Sequence, residues 1–147
     1  MSNRYSIAIG QTIPKNLDEA ILCLEKSLSE KEITYLKGIT EDFFINSEHH
    51  RLGREIRNNW GIWSGSELAE YFKSIGISHP DDISGIILKS FIRHIQGKDI
   101  HLKEQIEYYQ KYWEIQKEND EYTYEMEVGE GKKITMEGKT WKYMQHK

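Results

Sequence analysis

The sequence predicts a mainly α fold, a compact orthogonal bundle of five or six short helices with a small C-terminal β-hairpin. Three observations predict it. Apolar residues recur at helical spacing along residues 17–117, and residues typical of helix N-caps stand before most of these stretches. After residue 119, apolar residues instead alternate with polar ones, as they do in strands. A chain of 147 residues has room for a single core.

The N-terminal third predicts a short strand and two helices. Apolar residues alternate with small or polar ones over residues 5–9, which indicates a short N-terminal strand. Asn16 and Ser29 are each followed three residues later by glutamate, the arrangement of an N-cap that satisfies unpaired backbone N–H groups. We therefore expect one helix after each of them. The following segment, residues 41–48, is compatible with a half-buried turn or a single helical turn.

The central stretch, residues 49–95, has the densest helix start and stop signals. Leu52, Ile56 and Trp60 repeat every four residues and line one face of a helix that we expect to begin near Ser47. Gly61 then interrupts the pattern.

Two further helices are predicted after this interruption. Ser64 with Glu67 three residues later fits a capping box. Pro80 suits the first position of the last helix in the stretch, with Ser78 or His79 as its cap. That helix is apolar almost all round, so we expect it to be central and buried.

Two strings in this stretch resemble a bacterial domain family of unknown function. They are LGREIRNNWGIW, residues 52–63, and GISHPDDISGIIL, residues 76–88. In that family a helix ending in an RN-x-WGLW-like run precedes an HPDD-x-S turn. The resemblance covers residues 17–95 and implies a small all-helical bacterial domain, without implying any activity. Isoleucine at Ile62 and Ile83, where we expect leucine and methionine, leaves the implied fold unchanged.

The C-terminal third predicts one helix followed by the hairpin. The helix is expected over residues 99–117, and the hairpin over residues 122–136 with a turn at residues 129–131. The predicted organisation is a helical domain, residues 1–118, whose family-like core is residues 17–95. The hairpin, residues 119–147, is expected to be an appendage packed on that domain.

Composition predicts a cytoplasmic protein. Hydrophobic residues make up 37% and charged residues 30% of the chain. No apolar run approaches the roughly 20 residues of a transmembrane helix, so we expect no membrane partner. One cysteine, Cys23, excludes an internal disulfide and fits a reducing compartment.

Charge is distributed unevenly along the chain. Residues 104–130 contain nine acidic residues and two lysines, a net charge of −7, whereas residues 131–147 have a net charge of +4. Nucleic-acid binding depends on a basic face that neutralises phosphates. The acidic segment therefore favours a protein partner and argues against nucleic acid.

Motifs for catalysis or metal binding are missing from the sequence. His49, His50 and His79 with nearby aspartates suggest a metal site, but adjacent histidines on a helix point about 100° apart and no HExxH motif occurs. No nucleophile motif, Walker loop or GxGxxG is present. We predict that the protein is not an enzyme and has no catalytic residues, metal or cofactor.

One polar cluster is open to two interpretations. Its residues come from a helix face and from the turn that starts the buried helix: Arg54, Arg57, Asn58, His79, Asp81 and Asp82. An arginine pair on a helix binds phosphate or carboxylate well, which would make this a ligand site. Alternatively, Arg57 pairs with Asp81 or Asp82 and fixes the angle between the two helices. We favour this structural lock.

A second group of residues predicts the function. Tyrosine, tryptophan and carboxylates together are typical of a protein-binding face with aromatic anchors and an acidic rim. The predicted partner-binding residues are Tyr108, Tyr112, Trp113, Glu118, Asp120, Glu121, Tyr124, Glu125 and Glu127. The sequence thus favours a non-enzymatic protein-binding module, in its specific form an immunity- or antitoxin-like protein that neutralises a basic toxin. The alternative is a small enzyme or ligand-binding domain with its site between residues 54–58 and 79–82. The oligomeric state is left open.

Overall fold

A computed structural model describes residues 12–120, 123–129 and 132–137, with side chains for residues 12–118. It divides into two compact units, Met1–Ile106 and Glu107–Lys147. The helices are α1 (Leu17–Lys26), α2 (Glu30–Lys37), α3 (Glu41–Glu48), α4 (Leu52–Asn59), α5 (Glu67–Ser74), α6 (Pro80–Ile95) and α7 (Leu102–Asp120).

Helix α6 is the centre of the first unit. All five preceding helices contact it. Ten of its 16 residues are buried, including every isoleucine, its leucine and Phe91. The prediction of a central, buried helix is therefore confirmed. Because burial of apolar side chains is the main stabilising term in folding, α6 organises the core of this unit.

The first two predicted caps are confirmed. The side chain of Asn16 accepts a hydrogen bond from the backbone N–H of Glu19 at 2.9 Å and starts α1. Ser29 and Glu32 form a full capping box at α2, with bonds of 3.2 and 2.9 Å. These bonds satisfy N–H groups that have no partner within the helix.

The sequence allows either Ser78 or His79 as the cap of α6, and in the structure the cap is His79. Its Nδ1 accepts a hydrogen bond from the backbone N–H of Asp81 at 3.1 Å, and Pro80 is the first helical residue. The predicted cap of α5 is wrong. Ser66, not Ser64, accepts from the backbone N–H of Ala69 at 3.3 Å, because the loop after α4 continues to Ser66.

Residues 41–48, for which a turn or a single helical turn was expected, form the complete helix α3. Thr40 caps it by accepting a hydrogen bond from the backbone N–H of Phe43 at 3.1 Å. Phe44 is fully buried, so the helix is held by its packing. The next helix consequently begins at Leu52 and not near Ser47.

Extended backbone follows α7 in the second unit. Strands β1 (Thr123–Gly129) and β2 (Lys132–Glu137) pair in antiparallel fashion, with Met126 opposite Ile134. The N-terminal strand predicted over residues 5–9 lies outside the described residues.

The predicted fold class is corrected in two respects. The chain is mainly α, as expected, but residues 12–120 form seven helices where five or six were predicted. The predicted fold class also added a small C-terminal β-hairpin to the helical bundle, and this part of the prediction is corrected. The described part of the first unit, residues 12–106, contains helices but no strand or sheet. In this part of the chain, five helices pack against α6.

Two polar side chains at the C-terminal end of α6 hold neighbouring segments in place. Arg93 forms a two-bond ion pair with Glu41, with nitrogen-to-oxygen distances of 2.7 and 3.2 Å. Gln96, the C-cap of α6, donates to the backbone carbonyl oxygens of Leu36 and Ile39 at 2.9 and 2.7 Å. These bonds tie the end of α6 to α2, to α3 and to the loop between them.

The ion pair predicts an acid-sensitive contribution to stability. The hydrogen bond from Arg93 lowers the pKa of the Glu41 carboxyl from its ordinary 4.5, although partial burial opposes this. A carboxyl with a lowered pKa in the folded state stabilises the protein above about pH 4.5, and this contribution is lost as the pH falls through the lowered pKa. We expect Glu41→Gln to destabilise the protein at about pH 7 and to have a much smaller effect at about pH 3.

Urea unfolding at both pH values tests this expectation. Asp42→Asn is the matched control, because Asp42 is an exposed carboxylate at the next position of α3. An equal destabilisation by Glu41→Gln at both pH values would contradict the assigned role of the ion pair.

Candidate functional site

The buried guanidinium of Arg57 is the centre of a polar cluster between α4 and α6. Only 6% of Arg57 is exposed. Its Nη1 donates to Oγ of Ser84 at 2.7 Å, its Nη2 donates to the backbone carbonyl of His49 at 3.3 Å, and its Nε lies 3.5 Å from Oδ1 of Asp81. We call Arg57 with these three partners the Arg57 lock.

The chain makes room for this guanidinium at Gly53. A Cβ atom at that position would lie 3.0 Å from Nη1 of Arg57 and 3.5 Å from Leu88. Glycine therefore lets α4 approach α6 closely while the arginine passes between them. The LGREIR string, residues 52–57, thus contains both Gly53 and Arg57.

The lock is suited to holding helices together. Each nitrogen of the guanidinium is engaged by a protein group, and the three groups belong to the end of α3 and to the first two turns of α6. A guanidinium keeps its charge in proteins, so the tie persists over the usual pH range. The acidic partner is Asp81, whose side chain is 49% exposed, whereas Asp82 is buried.

The remaining residues of the predicted cluster have different surroundings. Arg54 and Asn58 are exposed on α4. His79 is exposed and caps α6. The structure therefore brings Arg57 and Asp81 together, while Arg54 and Asn58 present their side chains to solvent.

The two adjacent histidines beside the lock, His49 and His50, pack against each other. The rings of His49 and His50 meet edge to face, with centroids 4.6 Å apart. Burial lowers the pKa of the His49 imidazole below its ordinary 6.5, and the charge of Arg57 lowers it further. In the part of the chain with described side chains, no three histidine, cysteine or carboxylate residues are grouped as metal ligands would be.

Glu48 is a buried carboxylate that sequence analysis missed. It is only 4% exposed, and Oε2 accepts a hydrogen bond from Arg51 at 2.9 Å, while Oε1 has no hydrogen-bond partner. Glutamate is rarely buried to this extent unless paired. The sequence offers no signal for its burial, because the position lies in the segment whose helical structure was uncertain.

Helix α7 exposes an aromatic surface. Tyr108 is 66% exposed, Tyr112 and Trp113 are each 44% exposed, and Ile115 is 45% exposed. Tyr108, Tyr112 and Ile115 follow one another at i, i+4 and i+7, which places them on one side of the helix. We call Tyr108, Tyr112 and Ile115 the α7 aromatic face; Trp113 lies on a different side of the helix.

Charged and polar residues occupy the other side of α7. They are exposed, and they are Lys103, Glu107, Gln110, Lys111, Glu114, Lys117 and Glu118. An amphipathic helix normally buries its apolar side against another element. The α7 aromatic face instead remains largely accessible to solvent.

The other predicted partner-binding residues are distributed as follows. Glu118 is exposed on α7, and Asp120 is the last residue of that helix. Tyr124, Glu125 and Glu127 belong to β1, where the structure describes the backbone. Glu121 lies outside the described residues.

Another exposed aromatic residue, Trp63, was not among the predicted site residues. It is 62% exposed, whereas Trp60 and Ile62 beside it are 3% and 5% exposed. The available signal was its position in a segment rich in glycine and serine, residues 61–66, which is typical of a turn. Turn residues are often exposed, whereas Trp60 shares the helical spacing of Leu52 and Ile56 and is expected in the core.

Among the described residues, no helix is both long enough and apolar enough to cross a membrane. The longest, α7, carries charged residues along its whole length.

Comparison with known proteins gives one match. The sequence profile of a family described as a domain of unknown function (DUF6794) matches residues 13–95. No curated protein and no solved structure matches the chain. The matched residues contain α1 to α6 together with the Arg57 lock, and α7 follows them.

Proposed function

This chain belongs to the family described as a domain of unknown function (DUF6794), and we propose that it is a non-enzymatic protein-binding module. Its partner docks on the α7 aromatic face. In the specific form of the proposal, the protein acts in a bacterial cytoplasm as an immunity- or antitoxin-like protein and neutralises a basic toxin.

The accessibility of the α7 aromatic face carries this proposal. Tyrosine and tryptophan bury a large area on binding and lose little conformational entropy, which is why they dominate the energetics of many interfaces. Spacing of i, i+4 and i+7 is the pattern with which a helix inserts its side chains into the groove of a partner. Tyr108, Tyr112 and Ile115 follow this spacing, and each is at least 44% exposed.

The charge of the surrounding segment supports a basic partner. Residues 104–130 have a net charge of −7. Such a segment attracts a basic surface over a distance comparable to the screening length, about 8 Å at physiological ionic strength. It repels nucleic acid, so we expect a protein partner.

The geometry of the Arg57 lock favours a binding module over the alternative small enzyme or ligand-binding domain. A phosphate or carboxylate ligand needs a guanidinium with accessible N–H groups. Arg57 is buried and donates to groups of its own chain. The proposal accordingly includes no catalytic residue, metal or cofactor.

Binding kinetics with a partner purified from the native bacterium test the aromatic part of the proposal. We expect the double variant Tyr108→Ala with Tyr112→Ala to weaken binding at least tenfold, mainly by faster dissociation. The reason is that an aromatic residue at the centre of an interface contributes about 2 kcal/mol to the binding free energy. Tyr35→Ala is the matched control, since Tyr35 is 41% exposed on α2. Equal effects of both changes would contradict docking on α7.

A charge-reversal variant tests the electrostatic part separately. Glu114 and Glu118 are exposed on the charged side of α7. We expect Glu114→Lys with Glu118→Lys to slow association and to reduce its dependence on salt, while dissociation changes little. An association rate that is unchanged across salt concentrations would contradict steering by the acidic segment.

A further inference from the structure

The loop between α4 and α5 presents one large aromatic side chain to solvent. Trp63 is the second most exposed of the large hydrophobic residues with described side chains, at 62%. The residues on its N-terminal side, Trp60 and Ile62, are buried and anchor the loop in the core. Ser64 and Gly65, which follow Trp63, are also exposed, so Trp63 begins the part of the loop that is open to solvent.

Hydrogen bonds hold this loop in a defined shape. The carbonyl of Gly61 accepts from the backbone N–H groups of Ser64 and Ser66 at 3.2 and 3.0 Å. The hydroxyl of Ser66 donates to the carbonyl of Trp60 at 2.7 Å. Gly61 has a φ of 63°, and a Cβ there would lie 2.9 Å from Cβ of Ser66. Since the loop is already ordered, binding through Trp63 requires little additional ordering of the backbone.

Acidic residues follow the loop directly. The only charged residues of the segment 58–72 are Glu67 and Glu70, and the basic residues that border it are Arg57, which is buried, and Lys73 at the other end of α5. Both glutamates are exposed, in the first turn of α5 directly after the loop. An aromatic face attracts a cation, and nearby carboxylates strengthen that attraction.

We propose that Trp63 is the anchor of a second docking surface, which binds a protein segment carrying lysine or arginine side chains. A cationic side chain lies over the indole, and Glu67 and Glu70 form the acidic rim. This surface is part of the family-matched bundle and is independent of the α7 aromatic face. It gives the bundle itself a binding role beyond that of a scaffold.

Nuclear magnetic resonance of the full, isotope-labelled chain tests this proposal. The indole N–H signal of Trp63 is assigned by comparison with Trp63→Phe. The probe is a short peptide of alternating arginine and glycine, and its control has glutamine in place of arginine. We expect the arginine peptide to shift the Trp63 signal in a saturable way, and the glutamine peptide to leave it in place.

Three variants locate the binding. Followed through the amide signals of Gly65 and Glu67, Trp63→Ala should weaken peptide binding about two- to fivefold, the effect of a single exposed cation–π contact. Glu67→Gln with Glu70→Gln should also weaken it. Tyr112→Ala, on the α7 aromatic face, should leave the response of the Trp63 signal unchanged.

Three results would overturn the proposal. One is a Trp63 signal that the arginine peptide does not move, and another is an equal response to the glutamine peptide. The third is a Trp63 signal that shifts with protein concentration alone, because the occupant would then be a second copy of the chain. If the Trp63 signal responds while the Tyr108 and Tyr112 variants bind the native partner normally, the α7 proposal fails and this one stands.

Discussion

Replacing Trp60 by alanine should lower the free energy of unfolding by about 3–5 kcal/mol, as truncation of large core side chains does. Trp60 is 3% exposed and lies at the C-terminal end of α4, a helix that packs on α6. The backbone carbonyl of Trp60 also accepts a hydrogen bond from the hydroxyl of Ser66. A shift of the backbone into the space left by the indole would therefore disturb the following loop. Urea unfolding followed by circular dichroism measures the effect.

Trp63 provides the matched control for this experiment. It is the same residue type three positions later, and it is 62% exposed. Trp63→Ala should change the free energy of unfolding by less than about 0.5 kcal/mol, as surface substitutions usually do. If Trp60→Ala unfolds the protein completely, Trp60→Phe supplies a smaller change that remains measurable. A loss below about 1 kcal/mol for Trp60→Ala would show that Trp60 is not a core residue.

Replacing Arg57 by alanine should cost about 2–4 kcal/mol, because buried groups lose charge-assisted hydrogen bonds. The change removes the bond to Ser84 and leaves the carbonyl of His49 without this donor. Asp81 is half exposed and regains water, which keeps the cost below that of breaking a fully buried ion pair.

Two further variants define what the lock contributes. Arg54→Ala is the matched control, since Arg54 is an exposed arginine one turn earlier on α4, and its removal should change stability little. Arg57→Lys should recover only part of the loss, because an ammonium cannot reach three separate acceptors as the planar guanidinium does. Equal stabilities of Arg57→Ala and Arg54→Ala would contradict the lock.

Helix starts were predictable from sequence where the signal is local. Asn16, Ser29 and Pro80 act within one turn of the helix that they begin, so the residues themselves specify the bond or the backbone angle. The central position of α6 was predictable for a related reason. A helix that is apolar on all sides must be surrounded by other elements.

Helix boundaries that depend on packing were not predictable in this way. Residues 41–48 have a weak apolar pattern, and the burial of Phe44 against the rest of the bundle makes them a helix. The choice of Ser66 over Ser64 as the cap of α5 follows from the loop that Gly61 closes. Either serine satisfies the sequence pattern of a cap, and only the path of the loop distinguishes them.

The sequence by itself determined the mainly α character, the first two caps and the burial of α6, because these follow from residue spacing and local hydrogen bonding. The tertiary structure alone decided that Arg57 pairs with Asp81 and not with Asp82, and that residues 12–106 contain no strand in their described part. Neighbouring aspartates look alike in a sequence. They differ only in what the rest of the chain places beside them, and that depends on contacts between residues far apart along the chain.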